Sequence, residues 1–370
     1  MDKRSCFIID VLLVSVVLLL AGCIQGGEKQ TTQPAKTALE TTAAPESTLP
    51  LSTVPLTTVP NEISFIEERI PYSGSVVNAA VVGGRLLYAV RNINGTILVY
   101  DGIEYARENH IVGILADIGG KIAYTVTLGM DEDSKSIIIY DGKEIGREYS
   151  SSDYPTDIGG KLAYLAYQME EGNMKSFIVY DGAELGKEYD NVASLSSAGG
   201  KPLFIAAKGD KKYVVYNGKE LGGEYASVSS PVDVNGALAY IASRGDTDNR
   251  KMFVVYNGVE SDASYYGAES LSSVDGKLAY RASSDGNRWF LVYDGKEITG
   301  DYSYAKNLVG LNGVIAYAAG SSGNEKTTEY VIYAGKKSED YDLVKGPFVI
   351  DGKIVFMGEK SGQWYIIRAG

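Results

Sequence analysis

Histidine is almost missing from this chain: His110 is the only one in 370 residues. A zinc, copper or iron site built from several imidazoles is therefore excluded, and a Ser-His-acid triad would have one residue to use. Cysteine is as scarce, with Cys6 and Cys23 both near the start and none afterwards. The remainder of the chain can form neither a disulfide framework nor a thiolate metal cluster. A Gly-x-Ser-x-Gly elbow, a phosphate-binding loop and a dinucleotide fingerprint are all lacking. No cofactor is expected. Positive charge is also in deficit, since 35 Lys and Arg stand against 47 Asp and Glu for a net charge of -12. Nucleic acid and anionic lipid are poor partners for such a surface, and no nucleic-acid partner is expected.

Glycine and tyrosine run the other way, at 43 and 28 residues, and most of the tyrosine excess belongs to an internal repeat. Each unit has a Gly-containing turn, a strand ending in an aromatic, a loop, and a second strand ending in Tyr-Asp-Gly or a near equivalent. The first aromatic falls at Tyr88, Tyr124, Tyr164, Phe204, Tyr240, Tyr280, Tyr317 and Phe356, so successive units are 36 to 40 residues apart. The second falls at Tyr100, Tyr140, Tyr180, Tyr216, Tyr256, Tyr293 and Tyr333, with Arg368 in the equivalent place. A period near 40 with only strand signals predicts an all-β chain folded as a β-propeller. Eight four-stranded blades is the direct count, and a seven-bladed ring with one insertion is the alternative.

In the third unit, segments 155–158, 161–167, 175–180 and 184–192 are expected to be the innermost, second, third and outermost strands. Gly159-Gly160 and Asp181-Gly182 supply the positive φ angles of two-residue hairpins. Ala recurs one place before the aromatic, at Ala123, Ala163, Ala239, Ala279 and Ala316, which suggests room there for a tyrosine from the next blade. The eighth unit has no outermost strand of its own, whereas 65–72 looks like one. Residues 62–74 are therefore expected to pair with the last blade and close the ring, hiding an open edge. This offset closure resembles that of WD-repeat-like propellers. The strand period and Gly-Lys-aromatic turn resemble TolB-type repeats over about 300 residues, although that family's fuller Pro-Asp-Gly-Lys turn is missing. The resemblance implies a fold and brings no catalytic residue with it. The two tryptophans, Trp289 and Trp364, are too few for the docking motifs of quinoprotein propellers.

Residues 1–23 are a different object. Lys3 and Arg4 precede an apolar run from Val11 to Leu20, followed by Leu20-Ala21-Gly22-Cys23. This resembles a lipoprotein signal peptide with its lipobox, which implies cleavage before Cys23 and lipidation of its thiol. Asp10 interrupts the run, which falls short of the roughly 20 residues needed to span a bilayer. Residues 24–61 contain nine Thr, two Ser and five Pro and read as a Thr/Pro-rich disordered tether, reaching roughly 35 Å as a flexible coil. The propeller is then 62–370. The expected address is the extracytoplasmic side of the cell membrane, held there by the lipid anchor.

The second-to-third loops and the blade-to-blade links vary in length and charge, as at 128–135, 169–174, 244–250 and 320–328. A protein or glycan partner is expected on this variable face, because scaffold turns keep a fixed geometry. Asn109 and His110 are candidate partner-site residues, since Glu108-Asn109-His110 breaks the Glu148-Tyr149-Ser150 pattern of the next unit. Asn94 begins the sequon Asn94-Gly95-Thr96 and is the glycosylation candidate. The acidic loops 131–133 and 246–249 have oxygen ligands for Ca²⁺ but lack the Gly and distal Glu of an EF-hand, and no metal site is assigned. Ser283 to Trp289 is a plain turn that only superficially resembles an Asp-box. The expected function is a non-catalytic binding or scaffold module. The alternatives are a polysaccharide hydrolase or lyase using channel carboxylates, or a structural component of the cell envelope.

Overall fold

The computed structural model describes residues 63–129, 134–245, 250–262, 264–298, 302–322 and 327–370. Residues 1–62, where the leader and tether are expected and which include Cys23, lie outside the described residues, as do loop residues 131–133, 246–249 and 323–326. Eight four-stranded antiparallel sheets form an eight-bladed β-propeller. Seven blades use four consecutive strands each, at 75–108, 111–145, 151–185, 191–221, 227–260, 267–298 and 304–337. The second and third strands carry β-branched and aromatic residues on both faces and are buried on both, as in Phe177-Ile178-Val179, because each blade is covered by two neighbours. Gly159 and Gly160, at φ of 64° and 79°, and Asp181-Gly182, at 51° and 75°, make the hairpin turns.

Blade 3 consists of Ser151–Ile158, Lys161–Glu170, Asn173–Tyr180 and Ala183–Leu185. The expected outermost strand over 184–192 is corrected by this: the strand stops after three residues. Gly186, at φ 80°, turns the chain away, and Tyr189 donates its N–H back to the Gly186 carbonyl at 3.2 Å. Asn191 already starts the next innermost strand. The physical reason is that Tyr189 must leave the sheet to fill the space between blades 3 and 4.

Six such link tyrosines, Tyr149, Tyr189, Tyr225, Tyr265, Tyr302 and Tyr341, meet the first aromatic of the following blade edge-on or tilted. Their ring centroids are 5.6 to 6.4 Å apart. The small residue that admits each ring is not the Ala before the aromatic, which alternation places on the opposite face of the strand. It is the residue two places after it: Ala166, Ala206, Ala242, Ala282, Ala319 or Gly358. A Cβ at Gly358 would collide with the Tyr341 ring. Blades 1 and 2 carry Val90 and Val126 there, and their links present Tyr72, one residue out of step, and Asn109.

The ring closes as expected. Phe65–Arg69 pairs antiparallel with Gln363–Ala369 and serves as the outermost strand of blade 8. Ser64 and Gly370 exchange backbone hydrogen bonds of 2.9 and 3.0 Å. Glu67 takes the place that an outer-strand glutamate holds in other blades. Tyr341 donates its hydroxyl to it at 2.6 Å, as Tyr149 does to Glu184 and Tyr225 to Glu260.

Candidate functional site

The structure places Asn109 and His110 at an exposed corner between blades 1 and 2. There the outermost strand of blade 1 is lengthened to Ile103–Glu108, and Glu108 accepts the Tyr124 hydroxyl at 2.7 Å. The His110 carbonyl accepts the buried Thr96 hydroxyl at 3.2 Å. Asn94 is exposed at the neighbouring hairpin tip. His110, Asn109 and Asn94 therefore share one edge of blade 1, and no channel-side residue joins them. In the Ser283–Trp289 turn, Asp285 accepts backbone N–H bonds from Asn287 at 2.8 Å and Arg288 at 3.1 Å, the geometry of an ordinary Asx turn. Among the described residues, no group of three or more His, Cys, Asp or Glu is arranged to hold a metal.

Around the channel, each innermost strand carries a register shift against its neighbour. Near it, side chains reach from one blade to the next: Asn78 to the Gly113 carbonyl at 3.0 Å, Ser196 to that of Pro231 at 3.1 Å, and Asn307 to that of Gly346 at 3.0 Å. At the turn face, Asp117 accepts N–H bonds from Gly83 and Gly120, Asp157 from Gly119 and Gly160, and Asp233 from Gly199 and Gly236, all at 2.6 to 3.1 Å. Each carboxylate thus ties its own turn to the turn of the preceding blade. These acids belong to the framework of the ring.

Blades 6 to 8 depart from this pattern. Arg281 follows the first aromatic, where the other blades have Ala89, Thr125, Leu165, Ile205, Ile241, Ala318 and Met357, all buried. Its Nη1 donates to Glu269 at 2.6 Å, and its guanidinium lies 5.1 Å from the Trp289 ring. Its Nε is buried and has no hydrogen-bond partner among the described residues. Trp289 is seated by Gly267, where a Cβ would come within 2.7 Å of the indole. In blade 7, Lys306 donates to the buried Glu329 at 2.6 Å, and Glu329 also accepts from the Tyr304 hydroxyl at 2.7 Å and the Val344 N–H at 2.6 Å. Lys345 of blade 8 reaches the Val77 carbonyl at 3.3 Å across the seam. Burial and the nearby Lys306 push its ammonium below the usual lysine range.

Arg281 and Lys306 both line a cavity of about 410 Å³ between blades 6 and 7, together with Ser270, Ser272, Leu291 and Asn307. A larger cavity of about 690 Å³ between blades 4 and 5 is built from repeat positions such as Tyr216, Tyr225 and Tyr240. The groove between blades 5 and 6 has counterparts of the same positions, Tyr256 and Tyr280. Those two follow from the scaffold; the channel-side cavity follows from residues that break it. Sequence reasoning missed Arg281, Lys306 and Lys345. For Arg281 the signal was available, as the one charged residue in a column of apolar residues and Thr once the eight units are aligned.

No protein-family model matches the chain, and no curated protein sequence matches it. Among solved structures, a prolyl endopeptidase is similar at 15% identity and a TM-score of 0.51, over 80% of this chain and 54% of that one. The chain thus spans about half the length of that protein. The β-propeller domain of the Trilobed protease from Pyrococcus furiosus is similar at 13% identity and a TM-score of 0.43, over 70% of this chain and 92% of that one. TolB from Acinetobacter baumannii is similar at 13% identity and a TM-score of 0.32, over 76% and 78%. At such identities the likeness is one of fold: this chain is an eight-bladed β-propeller with propellers of varied function as its neighbours.

Proposed function

We propose that the chain is a lipid-anchored extracytoplasmic β-propeller that binds a protein or glycan partner without transforming it. In this reading residues 1–23 are a signal peptide whose lipobox presents Cys23 for lipidation, 24–61 are the tether, and 62–370 are the binding ring. The anchor is supported by the basic start, the short apolar run and Leu-Ala-Gly-Cys. The partner face is the one with the variable loops, where Asn109 and His110 and the glycosylation candidate Asn94 also lie.

The observation that carries the non-catalytic part is the commitment of the turn-face acids and of Glu329 to the framework of the ring. Glycoside hydrolysis needs one carboxyl group able to hold a proton and a second able to attack or to activate water. Asp117, Asp157 and Asp233 each accept two backbone N–H bonds, and Glu329 is held by an ammonium, a phenol and an amide. Those bonds spend the carboxylate oxygens on tying turns and strands together. Binding requires only convergent polar groups in a concave site.

Residues 62–370, immobilised and exposed to envelope extracts and a glycan panel, are expected to retain a partner and release no product. Turnover of any glycan would overturn the non-catalytic reading. Cys23→Ser is expected to shift the protein from the membrane pellet to the soluble fraction, and undiminished pelleting would count against the lipid anchor.

A further inference from the structure

We infer that the channel-side cavity between blades 6 and 7 binds a small molecule carrying a single carboxylate; this deepens the binding role proposed above and rests on it. The cavity, about 410 Å³, is of a size that holds small ligands. It combines apolar walls with polar groups from Ser270, Ser272, Arg281, Lys306 and Asn307. Arg281 is what makes it a site. The scaffold does not need a cation there, because seven other blades build the same strand with buried Ala, Thr, Leu, Ile or Met. A buried guanidinium N–H without a partner is costly unless something occupies it. Nη1 is taken by Glu269 while Nε is left without a partner. A planar carboxylate matches the fork of a guanidinium.

The charge count selects the ligand class. Of the lining cations, Arg281 is paired with Glu269 and Lys306 with Glu329, and the one positive charge in excess is that of Lys345, which lies outside the cavity lining but near enough to Lys306 to feel its charge. A monoanion neutralises that excess. A dianion would add a second charge beside Glu269 and Glu329, where the repulsion is screened little by solvent. The site also stands against the sign of the whole chain, whose net charge is -12. Lys306 is the third residue of its strand, Tyr304–Leu311, which starts from the link side. The cavity therefore lies toward the half of the channel nearer the variable loops.

Calorimetric titration of the full chain with glucuronate and with benzoate tests this, the two probes separating a sugar acid from an apolar acid. One of them is expected to bind saturably, glucose not at all, and inorganic phosphate at least about tenfold more weakly. Arg281→Leu, which installs the residue found at position 165, is expected to keep or raise the melting temperature and to weaken the carboxylate at least about tenfold. Arg281→Lys, which keeps the charge and loses the fork, should fall between. No saturable carboxylate binding below about 10 mM, or binding unchanged in Arg281→Leu, would overturn the proposal, and phosphate binding as tightly as the carboxylate would overturn its choice of a monoanion. If envelope retention persists while both carboxylates fail, this inference falls and the broader binding role stands.

Discussion

A link tyrosine and the small residue beneath it set the spacing between blades. Tyr189 rests on the face of Phe204 and Ala206, both buried, and its hydroxyl is held by Glu220 of the next outer strand. Enlarging the floor should lift the ring: Ala206→Leu is expected to destabilise the propeller by about 1–3 kcal/mol in urea melts. Val126→Ala in blade 2, where no tyrosine descends, should instead leave a small void costing about 1 kcal/mol. An Ala206→Leu protein as stable as the parent would refute the pairing. The tyrosines were legible as scaffold because they recur. Their floor was misread because neighbouring residues on a strand face opposite ways, and repetition alone does not say which face meets the link. Arg281 was overlooked for a related reason: beside Tyr280 in the linear chain it is one arginine among many, and it stands out only within its column of repeats.

The element that decides the architecture is Phe65–Arg69. Its role could be inferred from an unfilled place in the eighth unit, and the structure gives its register, Phe65 opposite Ala369 and Arg69 opposite Tyr365. Removing residues 62–74 should expose the edge of Gln363–Ala369 and lower the melting temperature by on the order of 10 °C. Adding the missing segment back as a peptide should restore part of that loss, and a deletion without thermal effect would refute the closure. The three-residue outermost strands were harder to foresee. Glu184 to Val192 contains enough strand formers to look continuous, and only the positive φ at Gly186 reveals the break.

For the whole molecule, the buried tyrosines make a prediction about pH. Burial pushes the phenols of Tyr88, Tyr167 and Tyr317 up to about 12, and burial with an acidic hydrogen-bond partner does the same to Tyr149 and Tyr189. Tyr124, Tyr280 and Tyr341 are raised further. The folded chain therefore holds these protons more tightly than the unfolded one. Their contribution to stability is complete below pH 10, the ordinary phenol value, and is lost as pH rises toward and through 12. Alkaline titration should show phenolate absorbance and loss of strand circular dichroism rising together in that window. Phenolate absorbance of the whole tyrosine complement reached near pH 10 with the fold intact would contradict it. At this scale the architecture was legible because it is periodic. A ligand site on a repeat scaffold is a set of exceptions spread over three blades, which no local motif announces.

The seam joins Ser64 to Gly370, partners 306 residues apart in sequence. During synthesis the strand at 65–69 emerges early and then waits for the rest of the ring. A chain interrupted anywhere before the last strand has no edge for it to join, so a truncated product keeps two unpaired sheet margins and remains open to proteolysis. Completion of the ring thus rests on one strand pairing between residues from opposite ends of the repeat array.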